Sequence, residues 1–116
     1  MQTAKAISKY IRISPQKARY AADLIRGLSV GQASLQLQYS GLRGGRLLIK
    51  TLDSAVANAE TQLDARRENL VIHEVRVDAG PILRRAKARS RGSSVPVNKR
   101  TSHFTVIVRA IPQVKE

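Results

Sequence analysis

The side chains with chemistry to offer are cationic: Arg84, Arg85, Lys87, Arg89, Arg91, Lys99 and Arg100 fall within residues 80–101, and no carboxylate occurs between Asp78 and Glu116. A guanidinium grips two phosphate oxygens with a fixed fork of donors, and a row of such groups releases counterions from a polyanion. The chemistry is neutralisation of phosphate rather than bond making. A second basic group, Lys5, Lys9, Arg12, Lys17, Arg19 and Arg26, lies in residues 1–30, where Asp23 is the one acid. Residues 31–78 hold six bases and six acids, so the net charge of +13 over 116 residues comes from the two ends. Charge that serves solubility intersperses both signs; segregated charge predicts a scaffold presenting two phosphate-contacting regions.

Other chemistries find little support. His73 and His103 lie on expected strands with no cysteine and no acidic cluster beside them, so neither acid–base catalysis nor a metal site is expected, and no cofactor. Asp53 and Glu60 stand a heptad apart on a solvated helix face, unsuited to paired-carboxylate work. Gly44-Gly45 lacks the lysine and hydroxyl ending of a phosphate-binding loop and reads as punctuation before a helix. With no cysteine there is no disulfide framework, and a reducing compartment is compatible. The longest apolar runs, Leu47–Ile49 and Val106–Val108, are far below the roughly 18–20 residues that span a bilayer, and no secretory leader is expected.

The elements that position these cations follow from period and punctuation. Residues 4–13 mix apolar side chains with lysine and arginine at alternate places, as a strand with one wet face does. Ser14-Pro15 supplies an N-cap and a first-turn proline for a helix over 15–26. Its Ala18, Ala21, Ala22 and Ile25 share one face, Arg19, Asp23 and Arg26 line the neighbouring one, and Gly27 closes it. A short helix is expected over 30–38 after Ser29. The strongest helical signal, 46–63, has Leu48, Leu52, Ala55, Val56, Ala59 and Leu63 as its stripe, with Lys50, Asp53, Ala57 and Thr61 opposite. Valine- and isoleucine-rich runs at 70–78 and 102–111 read as strands. In the first, Val71, Val75 and Val77 share a face; in the second, Phe104, Val106 and Val108 do. Tyr20 and Phe104 are expected in the core. The fold class is α+β: a small antiparallel sheet of about three strands against about three helices, in a single domain.

Residues 80–101 cannot build a core, having only Ile82, Leu83, Val95 and Val97 to bury. Ordering some twenty residues costs on the order of 20–40 kcal/mol of backbone entropy, which a few half-buried aliphatics do not offset. An extended β-ribbon with its turn near residues 90–94 satisfies the backbone, arms of about eleven residues would reach ~35 Å, and another molecule must complete its environment.

At this point the residues resemble a known family. Ile13-Ser14-Pro15-Gln16-Lys17-Ala18-Arg19, Ala22-Asp23-Leu24-Ile25-Arg26-Gly27, Ser54-Ala55-Val56-Ala57-Asn58-Ala59-Glu60, and Val77-Asp78-Ala79-Gly80-Pro81 with Lys99-Arg100-Thr101-Ser102-His103 are similar to the large-subunit ribosomal protein twenty-two family, over residues 4–109. The resemblance implies an α+β body on the large ribosomal subunit near the tunnel exit, and a hairpin over 80–102 that threads ribosomal RNA, lines the nascent-peptide exit tunnel and aids early assembly. It implies as partners large-subunit rRNA, neighbouring large-subunit proteins near the tunnel and the nascent polypeptide, on a ribosome of the cytoplasm or of an organelle. To the cations of both regions it adds Ser14, Gln16, Thr101, Ser102 and His103 as RNA contacts, and it gives the tunnel wall to Ala88, Arg89, Ser90, Arg91, Gly92 and Ser93. The chain departs from the family pattern where Gly92 at the tip is followed by Ser93 and Ser94, the place directly after the glycine being often basic, and at Pro96, which stands at a commonly basic place.

Two other classes compete. Architectural DNA-bending proteins also extend basic β-arms, sometimes with a proline near the tip. They build their cores as intertwined dimers, whereas the stripe from Leu48 to Leu63 suffices for a monomer, and no homo-oligomer is expected. A membrane-surface protein needs bulky apolar residues opposite its cations, and the basic segment here is rich in Ala and Ser instead; no membrane partner is expected. Tyr10, Tyr20, Tyr39 and Phe104 are too scattered along the chain to form the aromatic platform of single-strand readers, which favours recognition of shape and phosphate.

Overall fold

Small inward residues alternating with exposed cations make the first strand, β1 (Thr3–Ile11): Ala4 and Ala6 are buried while Lys5, Ile7 and Lys9 stay in solvent. A computed structural model of the chain describes residues 2–88, 90–92 and 94–111. Helix α1 (Pro15–Ile25) opens on its proline, whose absent N–H is not missed in a first turn. Ser14 occupies the cap position as expected, yet its side chain makes no capping bond; its carbonyl accepts from the Ala18 amide at 3.0 Å. The helix ends in a type II turn, Arg26 at φ −62, ψ 129 and Gly27 at φ 78, closed by the Leu28 amide donating to the Ile25 carbonyl at 3.2 Å. Helix α2 (Val30–Tyr39) follows, capped by Ser29 Oγ, which accepts from the Gln32 amide at 3.4 Å.

Helix α3 (Arg43–Gln62) starts ahead of the expected 46, because Gly44 and Gly45 are its buried first turn rather than a break before it. A Cβ on Gly44 would stand 3.2 Å from Ala18 Cα, and one on Gly45 2.8 Å from Ser40 Oγ. The pair lets α3 cross the two preceding helices at close range. Leu48, Leu52, Ala55, Val56 and Ala59 are buried as expected, joined by Thr51, whose hydroxyl donates to Ser8 Oγ on β1 at 2.8 Å.

Three strands form the main sheet in the order β1-β5-β2, antiparallel throughout, with β5 (Ser102–Ala110) in the centre and β2 (Leu70–Ala79) at an edge. Helix α3 lies across β1 and β5, and α1 and α2 pack on β2. The α+β architecture is the one expected. Phe104, Val106 and Val108 are fully buried beneath the helices, whereas Tyr20 is 60% exposed, contrary to the expectation that it belongs to the core. On β2 the inward set is Leu70 and Ile72, then Val75 and Val77; Val71 is on the other face. A bulge explains the difference, since Ile72 pairs with Val108 and Glu74 with Ile107, so His73 is an inserted residue that flips the alternation.

The basic segment forms its own two-stranded sheet, β3 (Leu83–Ala88) with β4 (Ser94–Lys99). It does not continue β2 and β5 as an unbroken ribbon: their ladder stops at Ala79–Ser102, and the second begins at Leu83–Lys99. Each paired arm is six residues, not eleven. The turn holds Arg91 at φ 62 and Gly92 at φ 75. The principal extents are 75 × 25 × 16 Å and the radius of gyration is 17.6 Å, against about 13 Å for a compact chain of this length. No helix among the described residues is long and apolar enough to cross a membrane.

Candidate nucleic-acid interface

The register of the hairpin sorts its side chains onto two faces. Leu83, Arg85 and Lys87 oppose Lys99, Val97 and Val95 on one; Arg84, Ala86 and Ala88 oppose Asn98, Pro96 and Ser94 on the other. The first face carries long aliphatic and cationic side chains, the second mostly short ones, so a backbone of another molecule can approach the second more closely. Arg84, Arg85, Ala86, Lys87, Ala88, Arg91, Gly92, Lys99 and Arg100 are all exposed, and Leu83 and Val97 are half-buried. No residue of β3 or β4 belongs to the buried apolar cluster. Pro96 is tolerated because a ribbon of two strands is all edge. Arg89 and Ser93, expected at the tip, lie outside the described residues.

The junction is built of side chains that sequence reading assigned to RNA. Thr101 is 4% exposed, and its hydroxyl donates to the Pro81 carbonyl at 2.6 Å; the Gly80 amide donates to the Thr101 carbonyl at 2.9 Å. Ser102 is fully buried, and its hydroxyl donates to the Ile13 carbonyl at 2.7 Å. The Thr101 hydroxyl closes the root of the hairpin and the Ser102 hydroxyl ties that root to the body, structural roles that the expectation of RNA contact did not include. Gly80 is required there, since a Cβ would stand 2.5 Å from Thr101 Oγ1 and 3.1 Å from His103 Cε1.

His103, half-buried, faces a second irregularity. The β1 register shifts between Ser8 and Ile11, and Tyr10 there adopts φ 60. Its amide donates to His103 Nδ1 at 3.1 Å, and the two rings meet edge to face with centroids 5.0 Å apart. With Nδ1 accepting, the neutral ring carries its proton on Nε2.

The N-terminal cations divide. Lys5, Lys9, Arg12, Gln16 and Lys17 are exposed, and Ser14 is half-buried. Arg19 and Arg26, expected to meet RNA, are exposed and also reach the edge strand β2. Arg19 donates from Nε and Nη2 to the Val77 carbonyl at 3.2 and 3.1 Å, and Arg26 Nη1 to the Val75 carbonyl at 2.7 Å, with Arg26 Nε on Asp23 at 3.0 Å. An edge strand leaves carbonyls without ladder partners, and α1 supplies them. Sequence spacing put these arginines beside the apolar face of α1; it carried no sign that the neighbour would be a bare sheet edge.

What the fold brings together is the foot of the hairpin and the end of β1. Arg12, Ile13 and Ser14 line one cleft with Asn98, Lys99 and Arg100, about 330 Å³ in volume, and Arg43 at the start of α3 completes it. Arg43 and Asn98 were missed, Arg43 because it falls in the neutral middle of the chain. The two ion pairs seen among the described residues, Arg26–Asp23 and Arg76–Glu74, leave these cations out. A cleft of one sign concentrates field and draws in an anion. Among the described residues no His, Cys, Asp or Glu cluster has the makings of a metal site.

The family described as Ribosomal protein L22p/L17e matches residues 6–109. The protein of Protochlamydia amoebophila (strain UWE25) named Large ribosomal subunit protein uL22 is 77% identical over 108 residues, covering 93% of this chain and 97% of that protein. Proteins of the same name from Chlamydia abortus and Chlamydia pneumoniae are 59% and 58% identical over 104 residues, 90% of this chain and 94% of each relative.

Proposed function

We propose, from the premise that this chain belongs to the Ribosomal protein L22p/L17e family, that it holds large-subunit ribosomal RNA together by inserting its basic hairpin between RNA segments while the body docks beside it. The family is one of ribosomal structural proteins and not of enzymes. The observation that carries the reading is the hairpin itself: cations on both strands, no carboxylate, and no member of the buried core. Phosphates that would repel one another across a narrow gap are neutralised by arginine and lysine on a support thin enough to fit it. The short side chains of one face let that support come close to RNA backbone.

The same reading has the tip, residues 88–93, lining the nascent-peptide exit tunnel, where the short Ala88, Ser90, Gly92 and Ser93 around its two arginines leave room for a passing chain. Neighbouring large-subunit proteins meet the body there, and binding several RNA segments at once favours early assembly of the particle in the cytoplasm. The chain acts as one domain with an arm, and as one copy. The test is RNA binding at several salt concentrations by the intact chain and by a variant with Arg84, Arg85, Arg89 and Arg91 all replaced by Ala. Each lost phosphate contact flattens the slope of log K against log salt by roughly 0.7–0.9. An unchanged slope overturns the hairpin's role.

A further inference from the structure

The basic cleft at the foot of the hairpin does not end at Arg43. A second groove, about 270 Å³, shares Ile13, Ser14 and Arg43 with it and continues along Lys17, Tyr20, Leu42 and Gly44. The two differ in character: the first is walled by four cations, the second by apolar surface with Tyr20 60% exposed and Leu42 39% exposed at its rim. Phosphate attracts to one end, and a flat apolar body is accepted at the other. An exposed tyrosine and leucine lining one groove are not called for by the packing of α1, whose core face is made by Ala18, Ala21, Ala22 and Ile25.

From this juxtaposition we infer that the body binds one unpaired nucleotide of ribosomal RNA, its phosphate in the cleft of Arg12, Arg43, Lys99 and Arg100 and its base laid on Tyr20 against Leu42. The inference rests on the rRNA reading above and goes beyond it, because phosphate recognition by the hairpin needs no extruded base. Charge selects the occupant: an acidic peptide would satisfy the cations but not the flat apolar groove, and an apolar peptide the reverse. A nucleotide carries both parts in one unit, and the two compartments adjoin through Ile13, Ser14 and Arg43. Sequence alone shows no clustered aromatics; the fold supplies one, placed beside the cations, which is enough for a single base. Arg43 sits between the two compartments and orients phosphate against base.

The experiment uses the full chain and large-subunit rRNA, with Tyr20→Ala, Tyr20→Phe and Arg43→Ala compared over a salt series. Stacking of one base predicts that Tyr20→Ala weakens binding about 5- to 150-fold with the salt slope unchanged, that Tyr20→Phe binds as the parent does, and that Arg43→Ala weakens binding and flattens the slope by roughly 0.7–0.9. Ultraviolet cross-linking of the parent complex is expected to join Tyr20 to a nucleotide that chemical probing of the free RNA shows unpaired. Parent-like binding by Tyr20→Ala, or a cross-link from Tyr20 to a base-paired nucleotide, overturns the nucleotide site while leaving the rRNA reading intact. Failure of the parent chain to bind rRNA at all overturns both.

Discussion

The body and the hairpin of this chain solve opposite problems with the same alphabet. In the body, every strand and helix contributes to one apolar cluster, Phe104, Val106 and Val108 fully buried, and two of its exposed arginines support it from the surface: Arg19 and Arg26 satisfy carbonyls of β2. In the hairpin, Arg84, Arg85 and Lys87 are exposed, and the hydrogen bond seen from these side chains among the described residues runs from Arg85 Nη1 to the neighbouring Arg84 carbonyl at 3.1 Å. A lone two-stranded ribbon is marginal in water. The same residue type is therefore structural in α1 and offered outward in β3, and what differs is that α1 lies against the bare edge of β2 whereas β3 packs chiefly on its partner β4.

That contrast is broken most forcefully from the body side. Phe104→Ala removes the largest fully buried side chain and is expected to destabilise the fold by about 3–5 kcal/mol, read by thermal or denaturant unfolding. The four-arginine hairpin variant is expected to do the reverse: unfolding of the body within about 0.5 kcal/mol of the parent, but a salt slope flatter by about 3 if all four arginines contact phosphate. Thr101→Val probes the hinge between them. Losing the bond to Pro81 while keeping the shape is expected to cost about 1–2 kcal/mol, because the Pro81 carbonyl loses its donor, and to weaken rRNA binding several-fold with the slope preserved. Smallest is Ser29→Ala, expected to lower stability by roughly 0.5 kcal/mol at the long end of capping geometry, with rRNA binding unchanged.

Much of this was legible in the sequence wherever one periodicity ran unbroken. The stripe of α3, the inward face of α1 and the Phe104, Val106, Val108 face of β5 are all where spacing put them. The misses have local causes. One inserted residue at His73 reversed the faces at the start of β2, leaving Val75 and Val77 inward but turning Val71 away, and nothing in Val71-Ile72-His73-Glu74 announces a bulge. Tyr20 was assigned to the core on its size, although at 100° per residue it stands opposite Ala18, Ala21 and Ala22; the spacing held the answer. Gly44 and Gly45 looked like a break because the close crossing that requires them is tertiary. At the site, the density of charge in residues 80–101 was plain, while the buried hydroxyls of Thr101 and Ser102 and the meeting of Arg12 and Arg43 with Lys99 and Arg100 depend on contacts between distant segments.

Amide hydrogen exchange on the intact chain, free and bound to large-subunit rRNA, tests the division between self-sufficient body and RNA-completed hairpin most directly. Amides of β5 and α3 should exchange only through global unfolding in both samples, while those of β3 and β4 should exchange orders of magnitude faster in the free chain and become protected on the RNA. Hairpin amides as slow as those of β5 in the free chain, or equally fast with RNA present, would contradict the account.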